Sequence, residues 1–411
     1  MKQPTIVFGM NSIFAVQHLL REILGLVPQK GLEVVVIAPG AERLQAVPAE
    51  GSQLGRSGVR FHPVSMEREI APASDLWALW QIWRILRWLR PAISNMSTPK
   101  MAFVGGVAAW LARIPHRIYT VRGLRYETTR GWKRFVLITC ERIACACAHQ
   151  VICISRSVKE AALRDRLAPA EKLTLLGDRV SEGITIPPRT ETPLDSLAEL
   201  RAKIGIPEGA AVIGFVGRLT RDKGIPELVE CFQALRRQGR APHLLLLGDF
   251  EAGDPVDEAA ARFIRSDPGV HWLGYVPQPR PYYPLMDVFV FPTHREGLGK
   301  VLLEAAAAGK PVVSTFTTGV IDVVHDGVTG ILVPPGDAKA LTRATATLLD
   351  DRALASRMGE SGKLLVREHF DNSVYLERLG NMLHSLAYAG SSSPCGAEAP
   401  DPFFATLRPG R

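Results

Sequence analysis

Two glutamates, Glu296 and Glu304, stand on either side of the start of a predicted helix. They belong to residues 287–315, which read DVFVFPTHREGLGKVLLEAAAAGKPVVST and predict a strand, a glycine-containing loop, a helix and a second strand. Such a loop directs backbone N–H groups and a helix N-terminus at one point, which suits a phosphate. A carboxylate beside that point accepts hydrogen bonds from hydroxyl groups. Phosphate and hydroxyls together are the groups of a nucleotide sugar.

Two cations, Arg218 and Lys223, flank an earlier loop that follows the predicted strand at residues 211–216. Fixed cations suit a diphosphate, because a departing nucleoside diphosphate gains negative charge as its bond breaks. Taken singly, the two cations would be surface charges and the glutamates a helix-start acid and a solvated helix face. Because each member of the set follows a strand, together they predict a site for a diphosphate and a sugar.

A basic segment at residues 122–135, RGLRYETTRGWKRF, follows the predicted strand at residues 117–121. A solvated loop is the ordinary interpretation of a charge run, but a position at a strand's carboxyl end favours an anion site. The cations of this segment are Arg122, Arg125, Arg130, Lys133 and Arg134. The residues predicted to contact an acceptor or anion in the first half of the chain are Arg122, Arg125, Lys100 and Asn11.

Alternating strands and helices in both halves predict parallel sheets, hence an α/β protein whose ligands lie at the carboxyl ends of the strands. Residues 181–199 are rich in proline and threonine and have no periodicity, which is typical of a linker. We expect a first, acceptor-binding domain at residues 1–185, a linker at 186–200 and a second, nucleotide-sugar domain at 201–370. A last helix is predicted at residues 371–388, followed by a disordered tail at 389–411.

The charge is unevenly distributed along the chain. Residues 1–190 contain 26 Lys and Arg against 14 Asp and Glu, whereas the remaining residues contain 23 against 27. A basic first half indicates an anionic partner: nucleic acid, anionic lipid or a substrate that carries a pyrophosphate. No nucleic-acid-binding motif accompanies the charge, so we expect no nucleic-acid partner.

Neither the cysteines nor the apolar runs indicate a metal site or a membrane span. Four of the six cysteines lie between residues 140 and 153, and their spacing fits no zinc pattern, which favours unpaired thiols. No apolar run is long enough to cross a bilayer. The N-terminal apolar run has no small-residue cleavage site after it, so we expect a core strand there and not a signal peptide.

The predicted helix at residues 75–90, DLWALWQIWRILRWLR, has two different sides. One arc is aliphatic and should pack on the sheet, and the other combines tryptophan with arginine. A Trp/Arg face is typical of a membrane interface, but it is also compatible with a surface helix whose tryptophans pack on neighbouring helices. The aliphatic arc comprises Leu79, Ile82, Ile85, Leu86 and Leu89, and the other comprises Trp77, Trp80, Trp83, Trp88, Arg84, Arg87 and Arg90.

The second half of the chain resembles the retaining glycosyltransferases of family 4, which have the GT-B fold. The resemblance depends on GRLTRDKGIPEL, LLLLGD, VHWLGYV, the segment at residues 287–315 and DGVTGILVPPGD. Glu296 and Glu304 match the paired glutamates of that family, with seven residues between them. The first half, through SMEREIAP, STPK and YTVRGLRYE, is similar to the branch that makes capsular or other surface polysaccharides and lipid-linked glycans.

This resemblance implies two Rossmann-like domains that face a cleft, with the last helix crossing back to the first domain. It implies that Arg218, Lys223 and Glu296 are the catalytic residues, that Glu296 holds the sugar and that Glu304 holds the ribose. It also implies retention of the anomeric configuration without a metal or other cofactor. The implied donor-binding residues are Gly217, Arg218, Lys223, Glu296, Gly297, Leu298, Gly299, Lys300 and Glu304.

Two positions depart from the family pattern. Arg122 stands where many relatives carry a histidine near the sugar, and the turn GMNSIFAV, which contains Asn11, lacks the double glycine of many relatives.

We therefore expect transfer of a hexose or N-acetylhexosamine from a UDP-sugar to a glycan linked to undecaprenyl diphosphate. The expected location is the cytoplasmic face of the membrane, with peripheral attachment. One alternative is a GT-B nucleotide-sugar epimerase, which would consume a UDP-sugar without an acceptor. Another is a catalytically silent relative that binds a sugar nucleotide and scaffolds a polysaccharide complex, an idea supported only by Arg122.

Overall fold

A computed structural model describes residues 3–41, 58–67, 71–186 and 194–388. The predicted tail at residues 389–411, which contains Cys395, lies outside the described residues, as do residues 187–193 of the predicted linker.

Seven parallel strands form the first sheet, in the order β3-β2-β1-β4-β5-β6-β7. Their apolar side chains are buried on both faces, as expected for a parallel sheet covered by helices. The strands are β1 Thr5–Gly9, β2 Glu33–Ala38, β3 Arg60–Pro63, β4 Ile93–Ser97, β5 His116–Val121, β6 Gln150–Cys153 and β7 Leu173–Thr174. The helices are α1 Ile13–Ala15, α2 Arg21–Leu26, α3 Pro72–Leu89, α4 Pro99–Leu111, α5 Gly131–Cys147 and α6 Arg156–Arg164.

Six parallel strands form the second sheet, in the order β10-β9-β8-β11-β12-β13. The strands are β8 Val212–Val216, β9 His243–Leu247, β10 Val270–Trp272, β11 Val288–Phe291, β12 Val312–Thr315 and β13 Gly330–Val333. The helices are α7 Leu194–Lys203, α8 Ile225–Arg237, α9 Glu258–Ser266, α10 Lys300–Ala307, α11 Ala338–Asp350, α12 Arg352–His369 and α13 Asn372–Tyr388. Two Rossmann-like parallel-sheet domains are thus present, which confirms the predicted α/β class.

Strand β4 was not predicted from the sequence, because polar side chains interrupt its apolar pattern. All five of its residues are buried. Asn95 accepts a hydrogen bond from the Thr120 hydroxyl of β5 at 2.9 Å, so at least this polar group is compensated inside the sheet.

Two sequence predictions about loops need correction. The basic segment at residues 122–135 is not one loop, because a 3₁₀ turn spans Arg125–Thr128 and α5 begins at Gly131. Lys133 and Arg134 therefore lie on the first turn of a helix. Within the segment expected to be a linker, α7 begins at Leu194.

The Trp/Arg helix, α3, buries Ile82 and Leu86 against the first sheet, which confirms the aliphatic arc at those positions. Trp77, Trp80 and Trp88 are exposed. The sequence predicts Trp83 on the outer side of α3, but its side chain is partly buried against the same core. Helix α3 packs against α4 as well as the sheet, so it buries more than its aliphatic arc.

The last helix, α13, packs its apolar side chains into the core of the first domain. Asn372 at its start accepts a hydrogen bond from Gly183 N at 3.1 Å. At its end, Tyr388 donates to the Gly31 carbonyl at 3.0 Å. The chain therefore leaves the second domain and ends its described part on the first.

Glu141 of α5 has a buried carboxyl group. It accepts a hydrogen bond from the Tyr119 hydroxyl of β5 at 2.6 Å. Burial raises its pKa to about 7, although the Tyr119 hydrogen bond acts in the opposite direction. In the unfolded chain this carboxyl ionises near pH 4.5, whereas in the folded protein it stays protonated until about pH 7. Its contribution to stability is therefore lost as the pH rises across that window.

We expect Glu141→Gln to raise the free energy of unfolding at pH 8 by up to about 3 kcal/mol and to change it little at pH 4. An amide keeps an acceptor for Tyr119 and cannot ionise. Denaturant titrations at the two pH values measure this, with the exposed Glu160→Gln on α6 as the control. Identical pH dependence in wild type and Glu141→Gln would contradict the account.

Candidate functional site

Lys223 is the central cation of the second domain. It lies in the loop between β8 and α8, is 9% exposed, forms an ion pair with Glu296 and donates to the Arg295 carbonyl at 3.3 Å. Gly224 allows this close approach, because it has φ +71° and a Cβ there would lie 2.0 Å from the Pro292 carbonyl oxygen. The loops after β8 and β11 thus meet and bring Lys223 and Glu296 together, as the sequence predicts for neighbouring strands.

Arg218, at the start of the same loop, forms an ion pair with Glu251. Glu251 follows β9, the strand that pairs with β8, so three adjacent loops supply two cations and two carboxylates. Glu251 is not among the residues predicted from the sequence, although its position shortly after the LLLLGD strand is an available signal. Both cations are therefore paired with acids in this structure.

The glycine loop before α10 lies against the first domain. A Cβ at Gly297 would lie 2.0 Å from the Arg122 carbonyl oxygen and 3.2 Å from the Gly123 nitrogen. Both neighbours belong to the first-domain segment that follows β5. Gly299 is the N-cap of α10 with φ +71°, so Lys300 begins the helix. Leu298 is buried, and Gly217 has φ +151° at the end of β8. These predicted donor residues therefore lie at the carboxyl edge of the second sheet, next to the first domain.

Glu304, one turn into α10, accepts a hydrogen bond from Tyr283 at 2.9 Å. Burial raises the pKa of Glu304, and the Tyr283 hydrogen bond opposes that rise. Tyr283 comes from the 3₁₀ helix Arg280–Leu285, which the sequence did not mark as functional. The Tyr283 hydrogen bond holds one oxygen of this carboxylate, Oε2.

A buried carboxylate, Glu182, links the two domains. Its side chain is 2% exposed and pairs with Arg122 at 2.5 Å and with Lys300 at 2.9 Å. Burial alone would raise the pKa of Glu182, but the Arg122 and Lys300 cations outweigh burial and lower it. Tyr375 of α13 also faces this carboxylate. Arg122 follows β5 and Lys300 begins α10, so Glu182 joins an element of each domain.

The two domains also contact each other through hydrogen bonds around this ion-pair group. Ser157 of α6 donates through its backbone N–H to Asp322 and accepts from Gly319 N at 2.7 Å. Thr318 donates to Glu127 at 2.7 Å. These contacts hold the segment after β12 against the carboxyl ends of the first sheet.

The other predicted first-domain residues follow three neighbouring strands of the first sheet. Arg125 begins the 3₁₀ turn after β5. Lys100 lies in the first turn of α4 and pairs with Asp75 at 2.6 Å, whereas Asn11 follows β1. Asn11 thus follows β1 and Lys100 follows its neighbour β4. Arg122 and Arg125 follow β5, which pairs with β4 on its other side.

No group of three or more His, Cys, Asp and Glu side chains arranged to hold a metal occurs among the described residues. The five described cysteines form no disulfide. None of the helices in the described part of the chain is sufficiently long and apolar to cross a membrane.

Comparison with known proteins places the chain in a family. Residues 210–351 match the model for glycosyl transferases group 1, and residues 15–178 match the glycosyl transferase 4-like domain. The capsular polysaccharide biosynthesis glycosyltransferase CapM of Staphylococcus aureus is 36% identical over 367 residues, 89% of this chain and 93% of CapM. This chain belongs to the group 1 glycosyltransferases. The predicted family is thereby confirmed, and a glycosyltransferase activity follows from it.

Solved structures show the fold of this group 1 glycosyltransferase. HepE of Anabaena, crystallised with UDP-glucose, matches with a TM-score of 0.72 and 21% identity over 93% of this chain and 100% of HepE. Sucrose-phosphate synthase of Thermosynechococcus elongatus matches with a TM-score of 0.75 and 22% identity over 94% of this chain and 100% of that enzyme. The predicted GT-B fold is confirmed.

Proposed function

We propose that this glycosyltransferase moves a hexose or N-acetylhexosamine from a UDP-sugar to a glycan carried on a lipid diphosphate, with retention of configuration. The observation that carries the proposal is the pair of cations, Arg218 and Lys223, held by Glu251 and Glu296 at the edge of the second sheet that faces the first domain. Two cations at fixed positions match the two phosphoryl groups of a nucleoside diphosphate.

In this proposal the donor diphosphate takes over Arg218 and Lys223, which stabilise the negative charge that develops as the sugar departs. Release from Lys223 frees Glu296 to accept hydrogen bonds from the sugar hydroxyls. Glu304, oriented by Tyr283, accepts from the ribose. The loop of Gly297, Leu298 and Gly299 surrounds the phosphate and sugar with backbone N–H groups. The acceptor hydroxyl forms its bond to the anomeric carbon on the face from which the diphosphate leaves, and the leaving diphosphate takes the hydroxyl proton, which gives retention.

Relatives support the donor class and the pathway. HepE was crystallised with UDP-glucose, and CapM is named for capsular polysaccharide biosynthesis. We infer a UDP-sugar donor and a role in surface polysaccharide or lipid-linked glycan synthesis. The assignment of the first domain to the acceptor and the second to the donor, with the linker between them, is part of the same proposal.

An exposed apolar surface on the first domain supports a membrane-bound acceptor. Helices α3, α4 and α5 pack side by side, and the first turns of α3 and α5 lie at the end of the sheet where the strands finish. Trp132 and Phe135 of α5 are 70% and 71% exposed, beside the cations Lys133 and Arg134. Leu76, Trp77 and Trp80 extend the surface on α3. Aromatic side chains among cations are typical of a membrane interface, here the cytoplasmic face.

We expect the double variant Trp132→Ser/Phe135→Ser to bind vesicles containing anionic lipid about 100-fold more weakly, because two exposed aromatic side chains no longer enter the interface. Flotation with phosphatidylglycerol vesicles measures this. The matched control is Val328→Ser/Leu364→Ser, which removes two exposed apolar side chains from the second domain. Equal binding by the two double variants would contradict the membrane surface.

A donor screen tests the proposed activity. The purified protein is incubated with a set of UDP-sugars and a short-chain lipid-diphosphate sugar, and UDP release identifies the donor. The anomeric configuration of the isolated product, read by NMR, then tests retention. Full transfer to a soluble glycan without any lipid would overturn the acceptor assignment.

A further inference from the structure

The first sheet has a topological switch point between β1 and β4. From β1 the chain proceeds to β2 and β3 on one side, and β4 then returns to the other side of β1. Open parallel sheets bind ligands outside the carboxyl ends of the strands at such a point. Gly9 pairs with Met96 here, so Asn11 and Thr98 each lie two residues beyond a paired position.

Thr98, the residue between β4 and α4, has an unusual backbone and an unusual side chain. Its φ is 72° and its ψ 142°, a left-handed conformation that a β-branched residue adopts only where the surroundings impose it. Its hydroxyl is buried and has no hydrogen-bond partner among the described residues, and the residue is 9% exposed. Buried hydroxyls are normally paired, so an unpaired one at the switch point of a parallel sheet indicates a position that binds a ligand.

Thr98 is also the N-cap residue of α4, a 13-residue helix, and its side chain does not cap the helix. The first turn of α4 presents the positive end of the helix dipole, together with Pro99 and Lys100. Lys100 pairs with Asp75 at 2.6 Å, so it lies beside this helix start with its charge already balanced. A hydroxyl that can donate, placed at a helix N-terminus, suits a phosphoryl group.

We propose that Thr98 and the first turn of α4, with Asn11 opposite, bind a phosphoryl group of the acceptor's diphosphate. The proposal rests on the lipid-diphosphate acceptor of the proposed function. It assigns Thr98 as an acceptor-binding residue and explains its backbone: the left-handed conformation holds the hydroxyl at the switch point, where only a ligand completes its hydrogen bonding.

Two variants separate binding from backbone strain. Thr98→Gly removes the hydroxyl and also relieves the left-handed strain, so it should raise the melting temperature. Thr98→Ser keeps the hydroxyl. Pyrophosphate is titrated by calorimetry into protein whose second-domain cations are removed by Arg218→Ala/Lys223→Ala, which excludes binding at the donor site.

In that background we expect Thr98→Gly to weaken pyrophosphate binding about tenfold or more, and Thr98→Ser to bind within about threefold of the parent. A short-chain lipid diphosphate should displace pyrophosphate. Unchanged binding in Thr98→Gly would overturn the site. Failure of the lipid diphosphate to compete would overturn the acceptor assignment and leave a site for free anions. Neither result depends on UDP-sugar turnover, so failure of the proposed activity is recognised separately in the donor screen.

Discussion

Glu182→Ala should lower the free energy of unfolding by about 3–5 kcal/mol, because it leaves the buried Arg122 without a counter-charge and removes the partner of Lys300. The loss should be measurable as a lower denaturant midpoint. It should also shrink at acidic pH: the pKa of Glu182 is lowered, so its stabilising effect is present above pH 4.5 and is lost as the pH falls through the lower, folded value.

Two comparisons make the Glu182 result specific. Asp350→Ala removes an ion pair with Arg240 at the surface, where solvent screens both charges, and should lower the denaturant midpoint far less than Glu182→Ala. The triple variant Glu182→Leu/Arg122→Met/Lys300→Met replaces the whole buried group with apolar side chains and should recover most of the stability. If Glu182→Ala and Asp350→Ala unfolded at the same denaturant concentration, the buried linkage between the domains would be disproved.

Lys223→Ala should reduce kcat for sugar transfer by about 10²–10³-fold, with a smaller change in KM for the UDP-sugar. The reason is that the charge which Lys223 compensates develops mainly in the transition state. Steady-state rates of UDP release, with the donor that the screen identifies, measure both constants.

Arg221 supplies the matched control for Lys223, because it lies on the same loop but is exposed and pairs with Asp254 at 3.4 Å. Arg221→Ala should change kcat less than about threefold. If Arg221→Ala lowered kcat as much as Lys223→Ala, a general electrostatic effect of the loop would replace the specific role of Lys223.

The second-domain site was predictable because its signals are local. Glu296, the glycine loop and Glu304 lie within one strand-loop-helix segment, and Lys223 follows a strand that the apolar pattern marks clearly. The rule that parallel strands present their carboxyl ends at one edge was enough to bring Lys223 and Glu296 together.

The first-domain site depends on contacts that local patterns do not encode. Glu182 lies in a proline-rich segment without periodicity, and its role arises from partners 60 and 118 positions away, Arg122 and Lys300. The polar residues of β4 concealed a central strand. The left-handed backbone of Thr98 has no local signal, because a Ser-Thr-Pro-Lys sequence predicts only a turn and a helix start.

The mass of the acceptor after reaction distinguishes sugar transfer from the epimerase and silent-relative alternatives. The protein is incubated with the UDP-sugar and a short-chain lipid-diphosphate sugar, and the lipid product is weighed by mass spectrometry while UDP is measured in the same sample. The account predicts an acceptor heavier by one sugar residue and an equal amount of UDP. Consumption of the UDP-sugar with an unchanged acceptor mass would indicate an epimerase, and binding of the UDP-sugar without consumption would indicate a silent relative. Either result would contradict the account.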